Sequence, residues 1–187
     1  MVALAELSPL AVALSQDLTA AGIEHVLTGS LVLAVLGRPR QTNDIDVVVV
    51  VPAIRLPHVF EIARRHGFVG DDRELIVQIR GRSFAQRRSG PLTLDLIVPV
   101  LPYHTTIVKR AVRRELAGVD VPLVTAEDLF VMKVLWRRPK DLADLYVLSA
   151  LPSRLDETYI RATLAGLLPP DDPRHAESDD ILRGGRA

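Results

Sequence analysis

Three carboxylates and one glycine-serine pair carry the chemistry open to this sequence. Asp44 and Asp46 lie in Asn43-Asp44-Ile45-Asp46, directly ahead of a run of valines from Val47 to Val51. Alternate residues of a strand share a face, so both carboxylates stand on one side, about 6–7 Å apart along the backbone. Anions held that close repel one another, and a divalent cation relieves the repulsion. Magnesium suits the site, because it takes oxygen ligands and is commonly held by one or two carboxylates plus substrate phosphates. Asp95 stands alone in Leu92-Thr93-Leu94-Asp95-Leu96-Ile97-Val98. An ionised aspartate in so apolar a strand needs a cationic partner. On a strand beside Asp44 and Asp46 it completes a three-carboxylate cradle for two metal ions; otherwise Arg87 or Arg88 across a hairpin is its partner.

Gly29 and Ser30 supply the anion-binding half. A strand running into Gly-Ser at a helix start offers backbone N–H groups and a hydroxyl, and the helix dipole adds to the attraction. Further along, Lys133 is the only charge in Leu129-Phe130-Val131-Met132-Lys133-Val134-Leu135-Trp136. A helix apolar on all sides reads as buried, and a buried ammonium needs an anion, either a phosphate or an aspartate, unless the side chain snorkels to the surface without a ligand. Asp141 and Asp144 share a helix face, with Lys140 and Asp144 four residues apart, and fit either a catalytic role or a solvent-facing network with Lys140 or Arg138.

The elements that must position these groups follow from pattern and punctuation. Ser8-Pro9 is expected to open a helix over 8–21, stopped at Gly22. Residues 25–30 read as a strand into a turn, and 30–37 as a short helix. Residues 44–52 read as a central strand covered on both faces, because the valines do not alternate with polar residues. A helix spans 55–66 with Phe60, Ile62 and Ala63 inward, while 71–82 fits helix or strand. Residues 83–88 and 92–100 flank Ser89-Gly90-Pro91 as a hairpin. A helix over 103–115, a strand near 119–124, and helices over 125–138, 140–151 and 155–168 complete the order. Thr125 is the N-cap of the first of these last three, with Asp128 at its third position. From Pro169 on, polar composition reads as a mobile tail, His175 included. The expected architecture is a small α/β (α+β) domain over 1–124, a helical segment over 125–168, and the tail over 169–187.

Gly29-Ser30, Arg40-x-Thr42-x-Asp44-x-Asp46 and the lone strand Asp95 resemble the signature of the DNA-polymerase-beta-like nucleotidyltransferases. Glu127-Asp128-Leu129, Lys133 and Arg138-Pro139-Lys140-Asp141-Leu142-Ala143-Asp144 are similar to the AbiEii-like nucleotidyltransferase toxins. The resemblance covers roughly 23–150. It implies a small mixed sheet flanked by helices, with Gly29 and Ser30 holding the triphosphate, and Arg40, Thr42, Lys140 and Asp141 also at the nucleotide. It implies that Asp44, Asp46 and Asp95 ligate two Mg2+ ions, with Mn2+ as the alternative, and that Asp95 helps deprotonate the acceptor. Lys133 and Asp144 would complete the catalytic set. The implied reaction moves a nucleotide from a nucleoside triphosphate to an acceptor hydroxyl, in a toxin acting on RNA such as tRNA, with a cognate antitoxin. Adenylylation of a protein or an antibiotic-like small molecule is the first alternative. A non-catalytic nucleotide- or partner-binding domain of the same fold is the second.

Composition sets the outer limits. The 187 residues are 48% hydrophobic and 25% charged, ordinary for a folded globular chain. Lys+Arg and Asp+Glu both number 23, which excludes a strongly basic nucleic-acid coat. The absence of cysteine excludes disulfides, a thiolate zinc site and a cysteine nucleophile. At 4% aromatic residues, base-stacking platforms are not expected. No apolar run reaches a membrane-spanning length and no basic leader opens the chain, so the expectation is a cytoplasmic protein. Lys109, Arg110, Arg113 and Arg114 are expected on one face of a single helix, from which they could contact a polynucleotide backbone.

Overall fold

The structure, a computed structural model, describes residues 4–82, 84–99 and 102–184. It divides into two compact units, 1–124 and 125–187.

The first unit is built on a six-stranded mixed sheet in the order β3-β4-β2-β1-β6-β5. Its strands are β1 (Glu24–Thr28), β2 (Asp44–Val50), β3 (Phe84–Ser89), β4 (Leu92–Ile97), β5 (Val112–Leu116) and β6 (Val119–Leu123). Strand β2 is central, antiparallel to β1 and parallel to β4. Ile45, Val47, Val48 and Val49 are all fully buried, which is why a β-branched run without polar alternation settles here. Helices α1 (Leu4–Ala20), α2 (Ser30–Val35), α3 (Leu56–Arg65), α4 (Asp72–Arg82) and α5 (Pro102–Lys109) complete the unit, with a 3-10 turn at Ala53–Arg55. Leu7, Ala11, Leu14 and Leu18 form the apolar stripe of α1, which packs on β1. Phe60, Ile62 and Ala63 of α3 are buried as their spacing predicts.

Several expectations need correction. Pro9 lies inside α1 and does not open it. Residues 112–115, expected as helix, instead belong to β5, hairpinned to β6 through Ala117 (φ 49°) and Gly118 (φ 80°). Two consecutive left-handed residues make the turn whose twist matches antiparallel strands. The basic cluster is therefore split: Lys109 ends α5, whereas Arg113 and Arg114 are successive residues of β5, which project to opposite faces. The segment 71–82, open between helix and strand, is helical.

The second unit is helical: α6 (Ala126–Trp136), α7 (Pro139–Ser149), α8 (Glu157–Leu167) and α9 (Arg174–Gly184). Thr125 caps α6 by accepting the Asp128 N–H at 3.1 Å. Arg137 takes a left-handed conformation, φ 50°, so the chain can turn before Pro139 starts α7. The expected mobile tail is corrected over 174–184. Helix α9 buries Ser178, Ile181 and Leu182, and Arg137 pairs with Glu177 at 2.7 Å. Two apolar residues at adjacent positions were too few to mark a helix by periodicity, but enough to dock one.

Candidate active site

Register brings the strand carboxylates together. Asp46 of β2 pairs directly with Asp95 of β4, and Asp44 pairs with Thr93. Neighbouring strands lie about 4.8 Å apart, and paired residues project to the same face. Asp44, Asp46 and Asp95 therefore share one face of the sheet. On that face a row of four residues crosses four strands: Gln86, Asp95, Asp46 and Thr28. The N–H of Thr93 donates to the Asn43 carbonyl at 2.8 Å, carrying the β2·β4 ladder past Asp44. Thr42 fixes the entry to β2, its hydroxyl accepting the Asp44 N–H at 3.1 Å.

The turn after β1 closes against the same carboxylates. Gly29 has φ +70° and ψ −140°, a conformation open in practice only to glycine. A methyl group added there would meet Asp46 Oδ2 at 2.0 Å. Ser30, the first residue of α2, is buried. Arg40 donates to the Gln41 carbonyl at 3.4 Å.

Asp95 is 4% exposed, and the Gln86 side-chain amide donates to its Oδ1 at 2.9 Å. Arg87, a candidate partner for Asp95 on sequence grounds, belongs to the other face. It is fully buried there, donates to the Phe68 carbonyl at 3.2 Å, binds Asp72 and lies 4.7 Å from the centre of the Phe60 ring. Burial pushes the Asp72 carboxyl up, but Arg64 and Arg87 outweigh that and hold it below the usual carboxylate range.

The donor set is all oxygen, as a hard cation such as magnesium requires. Among the described residues, however, no group of three His, Cys, Asp or Glu side chains is gathered so that it could hold a metal ion. The three aspartates thus share a face without forming a closed protein cage. Oxygen ligands from substrate phosphates belong to the usual magnesium shell and would have to complete it.

In the second unit, Lys133 of α6 is 1% exposed and lies between two aspartates of α7. Its Nζ is 2.7 Å from Asp141 Oδ1 and 2.8 Å from Asp144 Oδ2. Arg138 adds a second cation, donating from Nε to Asp141 Oδ2 at 2.7 Å and from its backbone N–H at 3.0 Å. Two positive and two negative charges leave the cluster neutral, the condition for burying it. Burial pushes the Asp141 carboxyl up, and Arg138 and Lys133 more than reverse this, holding it below the usual range. Asp141, expected at the nucleotide, receives Lys133 on Oδ1 and Arg138 on Oδ2. Lys140 is exposed.

Gln86 was not singled out from the sequence, yet it was within reach. A two-residue loop at Gly90-Pro91 sets Ser89 opposite Leu92, and counting back from that pair puts residue 86 opposite Asp95.

The family model described as nucleotidyl transferase AbiEii toxin, type IV TA system, matches residues 13–180. The chain belongs to this family. No curated protein matches it. Among solved structures it is similar to the antibiotic-resistance factor ANT(2'')-Ia in solution, with TM-score 0.51 and 15% identity over 98% of this chain and 85% of that one. It is also similar to ANT(2'')-Ia in complex with adenylyl-2''-tobramycin, with TM-score 0.50 and 14% identity over 97% of each chain. An antigenic nucleotidyltransferase-like protein from Paracoccidioides brasiliensis gives TM-score 0.48 and 19% identity over 95% and 92%. At these identities the first two establish the fold. This AbiEii-family chain is a nucleotidyltransferase with a six-stranded mixed sheet flanked by helices. Membership in a toxin-antitoxin family implies an antitoxin partner. Among the described residues no helix is long and apolar enough to cross a membrane.

Proposed function

We propose that this chain moves a nucleotide from a nucleoside triphosphate to a hydroxyl of an RNA acceptor, tRNA being the expected kind, in a magnesium-dependent reaction in the cytoplasm. The observation that carries the reading is the register pairing of Asp46 with Asp95, with Asp44 on the same face and Gly29 against Asp46. Asp44, Asp46 and Asp95 would hold two magnesium ions, or manganese in their place. When bound, they would supply positive charge to the phosphates and lower the pKa of the acceptor hydroxyl. The chain's own groups do the rest. Gly29 and Ser30, with Arg40 and Thr42, bind and orient the triphosphate. Asp95 accepts the proton of the acceptor hydroxyl, whose oxygen forms a bond to the α-phosphorus. The bond from that phosphorus to the bridging oxygen breaks, and pyrophosphate leaves. Within the second unit, Asp141 and Asp144 together hold the Lys133 ammonium.

Incubation of the protein with each labelled triphosphate, magnesium and total cellular RNA or protein tests this. Label in the RNA fraction supports the reading. Label in protein or in an added aminoglycoside replaces the acceptor. Thermal protection by a nucleotide without any release of pyrophosphate would indicate a binding domain instead.

A further inference from the structure

Gln86 lies outside every motif that pointed to the site, yet it touches a strand carboxylate. We infer that Gln86 is a positioning residue that sets the Asp95 carboxylate for a divalent cation, an inference that rests on the proposed metal-dependent transfer. Its amide Nε2 donates to Asp95 Oδ1 at 2.9 Å, across the paired strands β3 and β4. The next residue anchors that geometry from behind. Arg87 is fully buried on the opposite face, bound to Phe68, Asp72 and the Phe60 ring, so β3 cannot slide without pulling a buried guanidinium off its carboxylate. A one-residue slip would carry Gln86 away from the carboxylate face altogether.

The chemical type of the donor matters as much as its place. An amide satisfies one carboxylate oxygen and fixes the rotation of the group while leaving its charge in place. Arginine or lysine there would make a charge-assisted pair and cancel the negative charge a cation needs. Neutral partners that orient a metal ligand are worth roughly 10- to 100-fold in metal affinity or turnover.

The test compares Gln86→Leu, Gln86→Arg and Asp95→Asn in the full-length protein. Mn2+ binding is read from the loss of the free-ion electron paramagnetic resonance signal, alongside kcat and the KM for triphosphate. Gln86 is exposed, so its variants should fold; a thermal melt of each checks this, with Gln86→Ala in reserve. The inference expects Gln86→Leu to weaken Mn2+ binding and lower kcat by roughly 10- to 100-fold with KM unchanged, and Gln86→Arg to be no better. Recovery of both in Gln86→Arg would reduce the contact to a structural fastening and overturn the inference. So would Mn2+ binding and kcat within twofold of wild type in Gln86→Leu while Asp95→Asn is inactive. Retention of both by Asp95→Asn would instead sink the underlying reading.

Discussion

Gly29 leaves no room beside Asp46 for a side chain: a Cβ at residue 29 would lie 2.0 Å from Oδ2 of that carboxylate. The strand end and the metal-binding candidate are therefore built against each other. Gly29→Ala must both adopt φ +70° and displace Asp46. The expected cost is about 1–3 kcal/mol in urea unfolding, accompanied by loss of nucleotide transfer. Full activity in this variant would show that Asp46 need not stay where it is.

Asp46→Asn and Asp95→Asn should each lower transfer by about a thousandfold, the scale on which a single electrostatic stabiliser acts. Stability should hold or rise, because removing one of two adjacent like charges relieves their repulsion. Activity assays and thermal melts on the same preparations separate the two effects.

Lys133 and Lys140 make a contrast in burial. Lys133→Met strands Asp141 and Asp144 without their shared ammonium, at 0% and 2% exposure, and should cost about 3–5 kcal/mol. Lys140→Met removes an exposed charge and should stay within about 0.5 kcal/mol. Chemical denaturation of both variants measures the difference; equal values would mean the buried cluster contributes nothing to the fold.

His25 predicts a pH dependence of stability. Its Nδ1 is 2.9 Å from the Ile23 carbonyl, which fixes Nδ1–H as a donor and leaves Nε2 to accept from Ser15 at 2.7 Å. Burial lowers its pKa below the ordinary 6.5, against the opposing hydrogen bond to Ile23 and with help from Arg113. With the folded pKa depressed, the unfolded chain binds more protons below 6.5. Stability is complete above that pH and declines as the pH falls through the folded value. A second decline follows below the ordinary carboxylate value of 3.8, as Asp72 and Asp141, whose pKa values are held low by their cations, become protonated. Denaturation midpoints between pH 8 and 5 should fall in wild type and flatten in His25→Gln.

Much of this protein is legible in the order of its residues, through local chemistry alone. The valine run after Asp46 reads as a buried strand and is one, Thr125 reads as a cap and accepts the Asp128 N–H, and of the two readings open to Lys133 the pairing with an anion is the one found. The period-2 geometry of a strand put Asp44 and Asp46 on one face without further help. Short-range rules failed where the deciding contacts were tertiary. Residues 112–115 carry a pattern that suits a helix in isolation, and joined β5 because β6 offered an edge and Ala117-Gly118 could turn tightly. Residues 174–184 looked like tail, and became α9 because Ile181 and Leu182 found a surface to bury against.

The sequence by itself determined which side chains could do chemistry and which faces of their own elements they occupy, since alternation, capping and glycine geometry act over a few residues. Only the tertiary structure decided that Asp95 stands beside Asp46, that Arg87 is turned away to Asp72 while Gln86 takes the carboxylate, and that Lys133 is shared by Asp141 and Asp144. Strand order and helix packing minimise the free energy of the whole chain, and no window of neighbouring residues contains that information.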